Sequence, residues 1–584
     1  MLASDDRTQA LAELERWLSD EGATSLLRLR ATGDGGGGVV ARCSITPETE
    51  ILSVPHELLM TAEMGRACPI GATVASSGLH LSNERQTFIA LLLLTERALG
   101  PASRFHSYIA ALPRALPHIP VFWRDEELAL LAGSGMLQQV ADRRAAVRAD
   151  YDAIVSIAPE LRMIASPEEW AWARAIVTSR NFSVVLAPGT RHTECLVPLA
   201  DMLNHHRPRP TWWGYNATRR RFVVRSLTLI ESGAEVYDSY GKKCNSRYLL
   251  SYGFVVVDNT DADTGLDLNE ARLLFRLRPP DDDGNLFERR MRLLRAVDAP
   301  PVMEARLSAS HAATGSSAAQ AFLRFAYASE RELLQAAPRA PSDAAGAHIP
   351  LDGGRYDDCA VWMCARDKVC RMLHSLWYVQ HRVQVEVCVG RYVAPHPIHE
   401  HIPWLCVCVS RALQPLSIVN EAYVLAHIVR SCRDALVRYP TTLEEDDAVL
   451  EAPVVGLPEG SNARNARVLV RGEKSVLLWW IAAGGMAARL LADVQSRFDR
   501  RDGINGGFTA RSTKEGAVDA VTRAAAHLHP AATGKAFDAY MAAVWRPLTG
   551  RAIVDINMRD TEGVQMDAAV DNLQRAIAIL LNDA

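Results

Sequence analysis

Apolar residues recur with helical spacing at the start of the chain and again near residue 90. Leu11, Leu14 and Leu18 lie on one face of residues 8–19, which predicts a short amphipathic helix. Residues 88–94 are continuously apolar between charged neighbours, a run too short to span a bilayer. This second segment is therefore predicted to be a buried core helix.

The period of the pattern changes further along the chain. Residues 62–180 are mostly helical in pattern, and Ser166 followed by Pro167 is typical of a helix start. Residues 195–257 change to strand-like alternation, and helical periodicity dominates again beyond Ala271. The pattern predicts an α+β protein with a strand-rich centre and a long helical second half.

Three later segments differ from the rest of the chain, two by composition and one by its apolar spacing. Residues 308–350 are rich in Ala, Ser, Gly and Pro and are predicted to contain exposed linker. Residues 380–405 are rich in Val, His and Pro, which indicates an inserted strand pair or loop. Residues 566–580 carry an apolar stripe that predicts a final helix docked on the domain.

Composition and charge narrow the function classes. The chain has 584 residues, with 48% hydrophobic and 23% charged residues, and its formal charge is −4. A chain with this charge balance has no overall positive potential that would attract nucleic acid or an anionic membrane. The basic residues 219–221 are predicted to be the solvated end of a hairpin. Eleven cysteines and an acidic start without a leader pattern favour a reducing compartment, so we expect the cytoplasm or the nucleus.

Two polar signatures lie in the strand-rich centre. Asn204 and His205 follow the apolar segment 197–203, and the acidic, aromatic turn that ends at Tyr240 comes about thirty residues later. From the residues alone, Asn204 and His205 could equally be a buried structural pair whose side chains hydrogen-bond to neighbouring loops, rather than part of a binding site. No Ser has the surroundings of a catalytic nucleophile, and adjacent histidines on an extended strand point to opposite sides.

These signatures and several others together resemble the SET-domain group typified by the Rubisco large-subunit lysine methyltransferase, which includes the actin-histidine methyltransferase. The segments that carry the resemblance are residues 36–41, 54–61, 105–113, 122–128, 178–180, 198–205, 235–254, 439–446 and 470–474. Each segment alone is modest, but their order along the chain makes the resemblance specific.

The resemblance implies a SET domain with a helical insert, followed by a mostly α-helical substrate-binding domain. Residues 1–60 would be the N-terminal helix and first part of the SET domain, and residues 61–182 the helical insert. Residues 183–268 would hold the cofactor and catalytic site. Residues 269–584 would be the helical docking domain, with insertions near 300–405.

The resemblance also implies an S-adenosylmethionine site. Arg180 would approach the carboxylate of that cofactor, because a planar guanidinium binds carboxylates through two hydrogen bonds. Phe254 would pack on the adenine. The full set of implied cofactor residues is Gly35, Gly36, Gly37, Arg180, Asp201, Met202, Leu203, Asn204, His205, Tyr252, Gly253 and Phe254.

Tyr240 is the predicted catalytic residue, since methyl transfer needs alignment and desolvation more than acid–base chemistry. The predicted acceptor pocket is formed by Phe182, Ala200, Tyr215, Tyr240 and Tyr252. The histidine-modifying branch has Asn and Trp where this chain has Phe182 and Ala200. An apolar wall suits the aliphatic stem of lysine, so the pair favours lysine as acceptor.

The predicted activity is therefore transfer of methyl from S-adenosylmethionine to a lysine amine in a protein substrate. Alternatives are a protein-histidine methyltransferase of the same family and a non-catalytic docking protein with the same fold. We expect a monomer that binds neither nucleic acid nor membrane. No metal is expected, because Cys359, Cys364, Cys370 and His374 lack the paired Cys-x-x-Cys spacing of zinc sites. The substrate, the number of methyl groups and the roles of residues 300–405 and 495–584 cannot be read from the sequence.

Overall fold

A computed structural model describes residues 2–31, 37–187, 189, 191–263, 265, 267–276, 302–308, 323, 418–452 and 457–501. Gly35, Gly36, nearly all of the predicted linker, the 380–405 segment, the cysteine-rich stretch and the final stripe lie outside these residues. The chain divides into two compact units. The first comprises Met1–Leu131, Met136–Val257 and Leu457–Ala466; the second comprises Ala132–Gly135, Asp258–Gly456 and Arg467–Ala584. The four-part division in the sequence analysis stays a prediction.

Helices in the first unit lie mainly between residues 62 and 180, as the sequence pattern predicts. They are α1 (Leu2–Asp20), α2 (Ala62–Ala67), α3 (Pro69–Ser76), α4 (Glu84–Ala98), α5 (His106–Ala111), α6 (Asp125–Ala129), α7 (Met136–Ile157), α8 (Leu161–Ile164), α9 (Pro167–Arg180) and α10 (Asn245–Tyr252). Short 3₁₀ turns add His56–Leu58, Gly100–Ala102, Pro120–Phe122 and Ala200–Met202.

Strands in the same unit are short and belong to several small sheets. They are β1 (Thr24–Ser25), β2 (Leu27–Ala31), β3 (Gly37–Ala41), β4 (Glu50–Pro55), β5 (Met60–Thr61), β6 (Phe182–Val184), β7 (Thr193–Leu196), β8 (Asn204–His205), β9 (Thr211–Asn216), β10 (Arg221–Ser226) and β11 (Tyr237–Asp238). The sheet orders are β1-β4-β10-β9, β5-β7-β6, β2-β3 and β11-β8. Only the β8–β11 pair among these is parallel.

Two helices, α4 and α9, contribute most directly to the core and to the position of the site. The middle of α4, the predicted apolar run, is fully buried in the core. At the start of α9, Ser166 Oγ accepts from the Glu169 N–H at 3.2 Å, and Glu169 Oε2 accepts from the Ser166 N–H at 2.9 Å. This capping box confirms the predicted helix start, and such caps contribute about 1 kcal/mol. The other end of α9 is Arg180, so the helix sets the position of that guanidinium.

Leu199 has an unusual backbone just before the 3₁₀ turn Ala200–Met202. Its φ of 71° and ψ of −44° lie in a region that a branched side chain rarely adopts. The side chain is nevertheless buried, at 1% exposure. The Asp201 N–H donates to Val197 O at 3.0 Å, which closes a tight turn around Leu199. The turn directs the following residues into β8.

The second unit begins with strands where the sequence pattern predicts helix. The strands β12 (Glu270–Arg276) and β13 (Val302–Ser308) pair antiparallel over their whole length. The expectation of helix from Ala271 onward is wrong here. Ala271, Leu273 and Phe275 are buried and the residues between them are more exposed, which is a two-residue period. A seven-residue run is too short to separate the two periods with certainty.

Helices return later in the second unit, as predicted. They are α11 (Ile418–Leu436), α12 (Leu443–Glu451) and most of α13 (Asn462–Arg501). Lys474 and Asp446 form a fully buried ion pair at 2.7 Å, and Tyr439 donates to the buried Glu473 at 3.0 Å. Burial raises the pKa of Glu473 to about 7. Among the described residues, no helix is both long and apolar enough to cross a membrane.

Candidate active site

Three separate stretches of main chain meet at one place in the first unit. β8 and β11 pair in parallel, with Asn204 opposite Tyr237 and His205 opposite Asp238. β3 joins them through the Val236 N–H, which donates to Val39 O at 2.7 Å. The two polar signatures of the sequence and the glycine-rich strand are therefore neighbours through backbone hydrogen bonds.

Asn204 lies beside the glycine strand on the exposed side of this junction. Its Nδ2 donates to Glu235 Oε1 at 2.8 Å and reaches Gly37 O at 3.4 Å. A Cβ at Gly38 would lie 3.3 Å from Glu235 Oε1, so the carboxylate packs directly on the strand. The Tyr237 hydroxyl donates to Glu235 Oε2 at 3.0 Å. The structure thus brings Gly37 and Asn204 together and adds Glu235, whose role was not predicted.

Arg180 and Asp201 form the buried end of the site. Arg180 Nη1 donates to Asp201 O at 2.8 Å and lies 3.6 Å from Oδ2. The Tyr108 hydroxyl donates to Asp201 Oδ2 at 2.7 Å. Burial raises the pKa of Asp201, while Arg180 acts in the opposite direction. Asp201 Oδ1 is buried without a partner among the described residues, and Met202 and Leu203 are buried beside it.

Arg7 of α1 is a second cation at this end, and it was not predicted. A Cβ at Gly37 would lie 3.8 Å from Arg7 Nη2, and Arg7 Nη1 donates to Ala111 O. Burial, followed by the charge of Arg180, lowers the pKa of Arg7. Its Nε is buried and unpartnered within the described chain. Nothing in the sequence around residue 7 distinguishes this arginine from others on an amphipathic helix.

His205 is held as a neutral imidazole. Its Nδ1 accepts from the Tyr240 N–H at 3.0 Å, so the proton of the neutral ring is assigned to Nε2. Burial lowers the pKa of His205 to about 4, and Arg207 and Lys243 act in the same direction. Nε2 is buried and meets no acceptor among the residues described. The ring can therefore donate one hydrogen bond that the described chain does not use.

Tyr240 is at the centre of an aromatic cluster. Its ring stacks on Tyr252 with centroids 4.7 Å apart and on His205 at 5.2 Å. Tyr248 stacks on Phe254 at 5.1 Å behind them. The Tyr240 hydroxyl donates to Leu203 O at 2.8 Å, and burial raises its pKa. The phenol therefore stays protonated at neutral pH, with its oxygen lone pairs still available.

Gly253 ends α10 and sets the direction of Phe254. Its φ is +80°, and its N–H donates to Tyr248 O at 3.1 Å and Leu249 O at 3.0 Å, the left-handed helix ending that favours glycine. A Cβ here would lie 2.2 Å from His118 Cδ2, so only glycine fits against this histidine. His118 is a further residue that the sequence did not indicate.

The buried side chain of Asn245 fixes the segment after Phe254. Its Nδ2 donates to Val256 O at 2.9 Å, and its Oδ1 accepts from the Val256 N–H at 2.8 Å. This pair of bonds holds residues 253–256 against the start of α10. The sequence signature at 252–254 therefore depends on a residue seven positions upstream.

The predicted acceptor residues fall into two groups. Tyr240 and Tyr252 are in contact, and Ala200 is buried in the 3₁₀ turn that precedes Leu203. Phe182 packs instead against Trp213 and Phe222, with both centroid distances 5.0 Å. Within the described residues, no ring contact joins Phe182 to Tyr240.

Tyr215 belongs to the second group. Its hydroxyl pairs with His56 Nδ1 at 3.1 Å, and the residue faces Phe222 across the β9–β10 pair. No hydrogen bond or ring contact in the described chain links Tyr215 to Tyr240. No cluster of metal-ligating side chains occurs among the described residues.

Comparison with protein families gives one match. Residues 401–477 match the family described as Rubisco LSMT substrate-binding. The matched range includes α11, α12 and the first part of α13, and its first residues, 401–417, lie outside the described chain.

Curated relatives match part of the chain. The chain is 31% identical over 241 residues to the human N-lysine methyltransferase SETD6, covering 39% of this chain and 50% of that protein. It is 27% identical over 262 residues to the zebrafish (Danio rerio) actin-histidine N-methyltransferase, covering 43% of each. The chain thus spans about half the length of the curated relatives it matches.

Solved structures match more of the chain at lower identity. The SET domain of LSMT bound to lysine and AdoHcy aligns with a TM-score of 0.55 and 18% identity, over 85% of this chain and 97% of that one. Rubisco LSMT bound to AdoMet aligns equally well. The fold class and the resemblance inferred from the sequence are confirmed. The chain has the SET-domain fold of the Rubisco LSMT structures, in a sequence similar to the SET-domain methyltransferases of that group.

Proposed function

We propose that this chain is an S-adenosylmethionine-dependent protein methyltransferase that transfers a methyl group to the side-chain amine of a lysine. The observation that carries the proposal is the grouping of Arg180, Asn204, His205 and Tyr240 around one junction of backbone strands. The names of the relatives, N-lysine and actin-histidine methyltransferases, support the reaction class. The matched structures hold AdoMet or AdoHcy, which supports the cofactor.

The residues present fit this cofactor. Arg180 and Arg7 would hold its carboxylate, since two guanidinium groups lie close together at the buried end. The Gly37 backbone and Asn204 would contact its amino-acid portion, and Phe254 its adenine. His205 Nε2 and Asp201 Oδ1, both buried and without partners in the described chain, are the unsatisfied polar atoms that a bound polar ligand would satisfy.

The bound cofactor would supply an activated methyl group on a sulfonium. The chain aligns that methyl with the acceptor and excludes water. The Tyr240 oxygen, held by its bond to Leu203 O, would serve as a neutral acceptor of weak C–H···O contacts from that methyl. The lone pair of the acceptor nitrogen would form the new bond to the methyl carbon, and the electron pair of the broken carbon–sulfur bond would stay on sulfur.

The acceptor lysine must lose its proton before it attacks. Lys243 of this chain shows how the surroundings of Tyr252 affect an amine, because its Nζ lies 5.8 Å from the centroid of the Tyr252 ring. Burial lowers the pKa of Lys243, and Arg247 adds to this effect. An acceptor amine beside Tyr252 would experience the same desolvation and would be neutral in a larger fraction of molecules.

The side chains at the acceptor end support lysine over histidine. The Phe182 ring packs against the rings of Trp213 and Phe222, an apolar surface that suits an aliphatic stem. The amide of Asn181, which precedes Phe182, donates to the Glu194 carboxylate, so this donor is already in use. The relatives include enzymes named for each acceptor, so acceptor identity is the finer part of the proposal.

The partner we propose is a protein that presents this lysine, docked through the region that includes residues 401–477. We further propose that the protein acts as a monomer in the cytoplasm or nucleus, without nucleic acid or membrane. Tyr215 and Tyr252 remain proposed walls of the acceptor pocket.

Transfer of labelled methyl from S-adenosylmethionine into a cell extract, followed by mass spectrometry of the labelled proteins, tests the proposal. We expect methyllysine in at least one protein. Methylhistidine without methyllysine would move the acceptor to histidine. Absence of both, together with no calorimetric binding of S-adenosylhomocysteine, would instead indicate a non-catalytic docking protein.

A further inference from the structure

A cavity of about 440 Å³ lies between α7, α9, α10 and the 3₁₀ turn Pro120–Phe122. Its size is within the range of small-molecule sites, roughly 300–1,000 Å³. Apolar side chains form more than half of its lining, among them Val121, Phe122 and Leu250. None of the residues that line it belongs to the candidate active site, so the cavity is separate from the proposed methyl-transfer chemistry.

The charged residues that line the cavity are predominantly basic. They are Arg143, Arg144, Arg148 and Arg174, against the single acid Glu168. Among the residues that the structure describes, Arg144 donates only to the uncharged carbonyl groups of Val121 and Trp123 and meets no acid.

Acids behind the lining neutralise two of these arginines. Asp150 pairs with Arg174 at 2.7 Å, and Asp152 pairs with Arg148 at 2.9 Å. Glu168 interacts with Arg148, which Asp152 already pairs, so no acid in the described part of the chain pairs with Arg143 or Arg144.

Two guanidinium groups in the lining have unused hydrogen-bonding capacity. Arg143 is half-buried, and its guanidinium makes no hydrogen bond or ion pair within the described part of the chain. Arg174 is 5% exposed and its Nε is buried without a partner among the described residues, although its Nη1 is bonded to Asp150 and Thr87. Burial and the charge of Arg174 lower the pKa of Arg143, as expected for a desolvated cation without an anion. Such a group gains more from an incoming anion than an exposed arginine does.

We propose that this cavity binds a small organic acid with an apolar body, its carboxylate held by Arg143 and Arg174 and its body by the apolar lining. The acid would contact both α9 and α10. α9 ends at Arg180 and α10 at Tyr252, so the bound acid would fix the two helices that carry these residues. The inference does not depend on the proposed methyl transfer, because its measurement is binding alone.

A matched pair of probes tests the proposal by calorimetry on the full chain. The acid is 4-phenylbutyrate, and its uncharged counterpart is 4-phenylbutan-1-ol. We expect the acid to bind the wild type at least about tenfold more tightly than the alcohol, because a charge-assisted hydrogen bond is lost in the alcohol. Equal affinities, or no binding of the acid, would overturn the proposal.

Variants then assign the site. Arg143→Gln should weaken the acid at least about tenfold and leave the alcohol unchanged. Arg162→Gln, an exposed arginine on α8 outside the cavity, should change neither. Ala171→Trp fills the lining from α9 and should block both probes. Unaltered acid binding in either Arg143→Gln or Ala171→Trp contradicts the assignment, and circular dichroism confirms that each variant is folded.

Discussion

The cofactor side and the acceptor side of the candidate site are assembled in different ways. On the cofactor side, Gly37, Asn204, His205 and Tyr240 are linked by main-chain hydrogen bonds or by a side chain bonded to main chain. On the acceptor side, Phe182 of β6 meets Trp213 and Phe222, which lie on the paired strands β9 and β10 of another sheet, through ring packing. Backbone pairing follows from short signatures, whereas packing depends on residues that are distant in the sequence. The two sides should therefore respond differently to substitution.

Tyr240→Phe is expected to have the largest effect. Removal of the hydroxyl leaves Leu203 O without the Tyr240 donor and removes the oxygen that we propose lies next to the transferred methyl. We expect kcat to fall by about 100-fold or more, the scale of losing one positioned polar group in an active site. Tyr151→Phe is the matched control, since it removes a buried tyrosine hydroxyl that donates to Ala165 O at 2.9 Å in the helical insert. Full activity of Tyr240→Phe would remove it from the catalytic role.

Arg180→Ala should have the second-largest effect, a loss of affinity for the cofactor. Loss of a charge-assisted, bidentate contact should weaken S-adenosylhomocysteine by roughly 10- to 100-fold in calorimetry. Arg180→Lys keeps the charge without the planar fork and should lie between wild type and Arg180→Ala. Arg104→Ala, which removes an exposed arginine paired with Glu21, should leave affinity unchanged. Wild-type affinity in Arg180→Ala would exclude a direct contact with the cofactor.

Phe182→Leu tests the acceptor side and should have a smaller effect. Because the wall stays apolar, we expect kcat/KM for a lysine substrate to remain within about threefold, while the free energy of unfolding falls by about 1–2 kcal/mol. Phe222→Leu should cost a similar amount of stability, since Phe222 is fully buried against Phe182. A loss of lysine transfer far beyond threefold in Phe182→Leu alone would show that the ring shape, rather than apolar character, selects the acceptor.

His205→Gln should produce the smallest effect, a change in pH dependence. The folded pKa of His205, about 4, lies below its ordinary value of 6.5. Between these values the unfolded chain binds a proton that the folded chain does not, so stability is lost as pH falls from 6.5 to about 4. The wild type should therefore lose stability relative to His205→Gln over this interval, measured by urea unfolding. Parallel curves for the two proteins would contradict a buried neutral imidazole.

Sequence analysis anticipates spatial proximity where a residue and its partner lie within one signature or one backbone pairing. Asn204, His205 and Tyr240 are examples that the structure places side by side, and their functional roles stay predictions. Arg7, Tyr108 and His118 were missed because each comes from a different helix or loop and meets the site only through tertiary packing. Glu235 could have been found, because it lies within the second signature and its carboxylate needs a donor.

The error at β12 has a related cause. A seven-residue run that contains Ala271, Leu273 and Phe275 fits a strand by its two-residue period, but the helical periodicity of the sequence beyond it outweighs this short run in a wider window. The strand is identified by its pairing with β13, whose residues lie about thirty positions further along the chain. A pairing between distant segments leaves no trace in the periodicity of either segment, so a local pattern does not predict it.

Two opposing energetic effects act at Leu199: backbone strain and side-chain burial. Its backbone conformation costs of the order of 1–3 kcal/mol for a non-glycine residue, and burial of its side chain returns roughly 1.5–3 kcal/mol. Glycine would relax the main chain and lose the packing; a smaller apolar residue would keep the strain and lose part of the packing. The turn that leads into Asn204 is thus a point of low mutational tolerance, and variation among functional versions of this protein should avoid it even though Leu199 contacts no reacting atom.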